Sequence, residues 1–94
     1  MGRLPTSTSA RAIVIDPQQP KRVYAASQSG MFRSDDGGAT WSTASQGLGE
    51  TGLVSLAIDP WQPSRLFSLA RSGSVYLSED GADSWRLASA REGA

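Results

Sequence analysis

Ser34-Asp35-Asp36-Gly37-Gly38-Ala39-Thr40-Trp41 is answered 44 residues later by Ser78-Glu79-Asp80-Gly81-Ala82-Asp83-Ser84-Trp85. Outward from this pair, the apolar run Ala12-Ile13-Val14-Ile15 with its Asp16-Pro17 stop returns as Leu56-Ala57-Ile58 with Asp59-Pro60. The Asp-Pro pairs are 43 residues apart and the closing tryptophans 44, which places one inserted residue between Gly73 and Ser78. Self-similarity at a fixed period marks a chain built from repeated supersecondary units, none of which buries its apolar face alone.

Turn residues punctuate each unit into four short segments. Ala12 to Ile15 is continuously apolar and stops at Asp16-Pro17-Gln18-Gln19-Pro20; such a run reads as a strand buried on both faces. Arg22 to Ala26 forms a second strand, Ser27 to Gly30 a tight turn, Met31 to Arg33 a third strand, and Trp41 to Thr43 a fourth. In the second unit the strands are Leu53 to Ile58, Arg65 to Ala70, Val75 to Leu77 and Trp85 to Leu87. Connections this short imply up-and-down antiparallel meanders, and the unit has the size of one propeller blade. The expected fold is all-β, with two four-stranded antiparallel propeller blades per chain. Residues 1–11 are an N-terminal tail or a strand exchanged between subunits through Leu4 to Ser9, 12–44 blade 1, 45–52 the linker, 53–88 blade 2, and 89–94 a C-terminal tail.

The inner strands do not alternate between polar and apolar residues, so both faces of each sheet need cover. Two stacked blades leave one apolar face open at each end, more than a soluble monomer ordinarily exposes. Homo-oligomerisation would complete a closed β-propeller, as a homotrimer with six blades or a homotetramer with eight.

The spacing Ser34-x-Asp36-x-Gly38-x-Thr40-Trp41 resembles the Asp-box, or BNR, repeat of sialidase-like, xyloglucanase-like, sortilin-like and photosystem II assembly factor-like propellers. A turn of this kind lets Asp36 accept backbone N–H groups, lets Gly38 take a backbone conformation strained for other residues, and returns Trp41 to the core. The second copy keeps Ser78, Asp80 and Trp85 but places Ala82 and Ser84 where the family prefers glycine and threonine, a departure that bears on its turn geometry. The resemblance implies a structural role for these ten positions, on the face opposite the ligand site.

Composition removes most alternatives. Ninety-four residues lie near the lower limit for an independent core. Nine basic and nine acidic residues cancel without long runs, so neither nucleic acid nor an anionic membrane is an expected partner. With no cysteine and no histidine, the thiolate nucleophile, the Cys-type zinc site and the usual general base are absent. No cofactor or metal is expected. No signal peptide or membrane-spanning run is visible, and the chain reads as soluble, in a compartment the sequence leaves open.

A sialidase-like enzyme would draw an arginine triad, a tyrosine and an acid from several blades, which two short units do not offer. Tyr24 and Phe67 hold equivalent strand positions, so Tyr24 reads as blade packing. Asp16-Pro17 and Asp59-Pro60 read as self-capped turns. Trp61, which replaces Gln18 of the first unit, is expected to pack under its own loop; exposed, it would offer a stacking surface for a sugar or a partner. Gln28, Ser29, Arg71 and Ser72, with the linker and Arg11, gather at the end opposite the Asp-box turns and are the candidate ligand-binding residues, together with Trp61. The leading functional expectation is a structural, self-assembling propeller module without catalysis, engineered or fragment-derived. The alternative is a multivalent, lectin-like glycan binder, and the third is a remnant of a glycoside hydrolase or sialidase-like propeller.

Overall fold

The computed structural model describes residues 10–89 as two four-stranded antiparallel sheets, each in chain order. Sheet one holds β1 (Ala10–Ile15), β2 (Val23–Ser27), β3 (Gly30–Ser34) and β4 (Ser42–Thr43). Sheet two holds β5 (Leu53–Ile58), β6 (Leu66–Ala70), β7 (Val75–Ser78) and β8 (Arg86–Ser89). Two differences follow for the boundaries. β1 begins at Ala10, inside the expected tail, and β8 runs to Ser89, one residue past the expected end of blade 2.

Lateral pairing settles which side chains share a face, because side chains alternate along each strand. Val14, Tyr24 and Arg33 lie side by side, as do Ile13, Ala25 and Phe32. In sheet two, Leu56, Ser68 and Tyr76 form one row, and Ala57, Phe67 and Leu77 lie on the opposite face. The sheets stack along their inner strands, β1 and β2 against β5. Between them lies the core: Tyr24, Ala26 and Met31 from sheet one meet Leu53, Leu56, Leu66, Tyr76 and Trp85 from sheet two, with Val14 and Ile58 packed at its margin.

The expectation that β1 is buried on both faces is not met within this chain. Ile13 and Ile15 are 48% and 55% exposed, on the face turned away from sheet two. Among the described residues no third sheet lies against them. On the far side of sheet two, Phe67 and Leu69 are 39% and 38% exposed for the same reason.

The inserted residue also lies elsewhere than the repeat alignment placed it. Ser27 and Gly30 pair to close a two-residue loop, Gln28-Ser29. In sheet two, Ala70 N donates to Ser74 O at 2.9 Å and Gly73 N to Ala70 O at 2.9 Å, closing the three-residue loop Arg71-Ser72-Gly73. Gly73 has φ +95°, the left-handed position such three-residue hairpins place at their end. The extra residue is therefore in the loop, and the counterpart of Gly30 is Ser74. The exchanged-strand expectation for Leu4 to Ser9 lies outside the described residues.

Candidate functional site

Chemistry-bearing side chains concentrate at two opposite ends of the stack. At the first end, each β3–β4-type turn is held by one serine and one aspartate. Ser34 Oγ donates to Asp36 Oδ1 at 2.7 Å and accepts from the buried Gly38 N–H at 2.8 Å. Asp36 in turn accepts from Thr40 N–H at 2.9 Å and from the Thr40 hydroxyl. Ser78 and Asp80 repeat this pattern, with Ala82 N–H to Ser78 Oγ at 2.9 Å, Ser84 N–H to Asp80 Oδ1 at 2.9 Å and the Ser84 hydroxyl to Asp80 Oδ2 at 2.6 Å. Ala82 keeps the geometry by accepting φ +70°, where Gly38 has +95°. The substitution costs strain rather than the turn, of order 1 kcal/mol for a single residue.

The hydrogen bonds from Ser34 and Thr40 hold the Asp36 carboxyl down to about 2, against an ordinary value of 3.8. Those from Ser84 and Ser78 lower Asp80 in the same direction, against the pull of burial. Both carboxylates act as hydrogen-bond acceptors within their own turns. Asp35 is engaged too, 3.1 Å from Arg22 and 3.5 Å from Arg33. Its repeat counterpart Glu79 pairs with Arg65 at 3.2 Å and Arg86 at 3.3 Å. These repeated ion pairs escaped the sequence reading, although Arg22 and Arg65 precede equivalent strands. Among the described residues no group of three or more acidic side chains is placed to hold a metal ion.

The neighbouring β1–β2 and β5–β6 turns share this end. Gly37 N–H donates to Lys21 O at 2.8 Å and Gly81 N–H to Ser64 O at 3.0 Å. Asp16 Oδ1 accepts from Gln18 and Gln19 N–H, and Asp59 Oδ1 from Trp61 and Gln62 N–H, so both Asp-Pro turns are self-capped. Trp61 does not pack under its loop: it is 84% exposed. Its backbone N–H is committed to Asp59 Oδ1 at 2.9 Å, and its side chain is exposed.

At the second end lie Gln28, Ser29, Arg71 and Ser72. Gln28 Oε1 accepts from Arg11 Nη2 at 3.1 Å, Ser29 N–H donates to Ser27 Oγ, and Ser72 Oγ lies 3.2 Å from Ser74 Oγ. Arg71 N–H donates to Gly52 O at 2.7 Å, tying the loop to the linker, as its stem packs on Gly52. β6 separates Arg71 from the Trp61 turn by five residues, roughly 17 Å of strand. The structure does not bring Trp61 and Arg71 together.

Between the sheets, on the rim of the first end, a cleft of about 200 Å³ is lined by Arg33, Ser42, Ser45, Gln46 and Asp83. Arg33 Nη1 donates to Gly81 O at 2.8 Å and to Asp83 Oδ1 at 2.9 Å, bridging the two sheets. Beside it the buried Tyr24 hydroxyl has no hydrogen-bond partner among the described residues. Burial pushes this phenol up, with the Arg22 charge pulling the other way.

The tryptophans differ. Trp85 is buried in the core and donates its indole N–H to Ala44 O at 2.8 Å. Trp41, expected in the core as well, is only half-buried and donates to Gly38 O of its own turn at 3.0 Å. The difference follows from position: Trp85 faces sheet one, while Trp41 faces the side with no adjoining sheet.

The fold and these turns define a propeller-like, all-β blade pair. It is similar in structure to YCF48 from Cyanidioschyzon merolae (TM-score 0.74, 15% identity, 90% of this chain and 28% of that one). It is also similar to the GH74 xyloglucanase from Xanthomonas campestris (TM-score 0.70, 20% identity, 92% and 16%) and to YCF48 bound to D1 peptide (TM-score 0.67, 16% identity, 93% and 28%). The chain thus spans between about a sixth and just over a quarter of these proteins. No family model and no curated protein matches it. No helix among the described residues is long and apolar enough to cross a membrane.

Proposed function

We propose that the chain is a noncatalytic blade pair of an Asp-box propeller whose activity is association: its open blade faces take further blade pairs and complete a ring. Copies of the chain supply them, three for six blades or four for eight. The observation that carries this reading is the exposure of apolar side chains at both ends of the stack, Ile13 and Ile15 on one face, Phe67 and Leu69 on the other.

Support for the noncatalytic part comes from the carboxylates. Asp36 and Asp80 are tied into their turns and Asp35 into two arginines, so each of these carboxylates already spends its acceptor capacity within the blade pair. Negative-stain microscopy of the purified chain tests the reading. Ring-shaped particles of six or eight blades are the expected result, and uniform two-blade particles would refute it. A second reading, glycan binding, draws on the exposed Trp61 indole.

A further inference from the structure

We infer that the surface completing this assembly is directional: the open face of sheet two in one copy receives the open face of sheet one in the next. In that junction the Trp41 indole donates to the Ala88 carbonyl of the neighbouring copy. The inference rests on the associative reading above and specifies its partner and geometry.

The repeat itself sets the direction. Sheet one meets sheet two through Val14, Tyr24, Ala26, Met31 and Arg33. Their counterparts in the second unit are Ala57, Phe67, Leu69, Val75 and Leu77, all on the open face of sheet two. Conversely, Leu56, Ile58, Leu66, Tyr76 and Trp85 face sheet one in the internal contact, and their counterparts Ile13, Ile15, Val23, Phe32 and Trp41 belong to the open side of sheet one. Each open face therefore carries the half of the internal contact that the other lacks. Apposing like faces would match neither half.

Two local features point the same way. Trp85 donates to Ala44, the residue just after β4, and the counterpart pair is Trp41 with Ala88. Ala88 sits where the ladder skips from Tyr76–Leu87 to Val75–Ser89, whereas Ala44 N–H is paired to Met31 O at 2.8 Å. Trp41, with no neighbouring sheet, turns its N–H back to Gly38. The polar bridge from Arg33 to Asp83 becomes Leu77 against Ala39 in the repeat, and Tyr24 with its orphaned hydroxyl becomes Phe67. The junction between copies is thus more apolar than the one inside the chain, as suits surfaces that must find each other.

Two blocked chains test the direction. Ile13→Lys with Ile15→Lys closes the sheet-one face, and Phe67→Lys with Leu69→Lys closes the sheet-two face; Ser replaces Lys at the same positions if strand content by circular dichroism falls. Sedimentation velocity should find each blocked chain monomeric alone and a 1:1 mixture at twice the monomer mass. In the mixture, the Trp41 indole N–H of the chain blocked at Phe67 and Leu69, isotope-labelled in that chain alone and assigned by its loss in Trp41→Phe, should exchange with solvent about tenfold more slowly than in that chain by itself. Dimers of either blocked chain by itself would overturn the direction while leaving the associative reading standing. Unchanged Trp41 exchange in a formed dimer would overturn the Ala88 contact. A monomeric unblocked chain would overturn the associative reading beneath both.

Discussion

The indole nitrogen of Trp85 lies 2.8 Å from the carbonyl oxygen of Ala44, 41 residues earlier, and this bond fastens the last turn of sheet two to the end of sheet one. Trp41, at the same place in the repeat, makes only a bond within its own turn. Identical motif residues therefore carry unequal loads. Trp85→Phe should lower unfolding free energy by about 2–3 kcal/mol in urea denaturation, from the lost bond, the orphaned carbonyl and the smaller ring. Trp41→Phe should cost about 1 kcal/mol in the unassociated chain. Equal losses would contradict the packing described.

The linker passes so close to Trp85 that a side chain has no room. A Cβ on Gly47 would fall 2.0 Å from Trp85 O, and Gly47 has φ +92°. The contacting atom is backbone and cannot swing aside. Gly47→Ala should cost at least about 3 kcal/mol or prevent folding, read by thermal denaturation. Gly37→Ala meets no atom within 4 Å despite φ +74° and should cost only about 1 kcal/mol.

Ser34 shows how far a single hydroxyl organises its turn. It is buried and serves Asp36 and Gly38 at once. Ser34→Ala leaves the buried Gly38 N–H without an acceptor and should cost about 1–3 kcal/mol. Ser78→Ala should match it, because Ala82 N–H is held in the same way.

Acid should loosen the same turns. The Asp36 carboxyl is held at about 2, below its ordinary 3.8, and Asp80 and Glu79 are lowered in the same direction, Glu79 chiefly by its bond from Arg65. A depressed folded-state value means that the unfolded chain binds the proton first. The stabilisation is therefore present above about pH 4 and drains away as pH falls toward 2. Urea midpoints measured from pH 5 to pH 2 should fall steadily, and Asp36→Asn should start lower and fall less. An Asp36→Asn slope equal to wild type would contradict this.

Much of the fold was legible in the chain because its punctuation is chemical. An Asp-Pro or Asp-Gly turn bounds one end of every strand, so the strand spans agree within about two residues, and Leu53–Ile58 coincides. What escaped was set by partners far along the sequence. Arg33 looks like an ordinary exposed strand residue, yet it joins Gly81 and Asp83, 48 and 50 residues away. The inequality of Trp41 and Trp85 depends on which face meets the other sheet, and an identical motif cannot announce that. Trp61 reads as a residue that packs because tryptophan usually does, yet in its turn it is left exposed.

The exposed indole gives a simple check on that difference. Trp61→Ala should leave the unfolding free energy within about 0.5 kcal/mol of wild type, since little packing is lost. A loss above 1 kcal/mol would mean that Trp61 is buried in solution. The same variant should abolish any binding of oligosaccharides detected by intrinsic fluorescence.

Light scattering coupled to size exclusion, with the chain diluted from high to low micromolar concentration, tests the central claim most directly. A mass of three or four chains that persists on dilution is the predicted result. A mass of one chain throughout would contradict the account, because the open faces bearing Ile13, Ile15, Phe67 and Leu69 would then be stable in water without a neighbour.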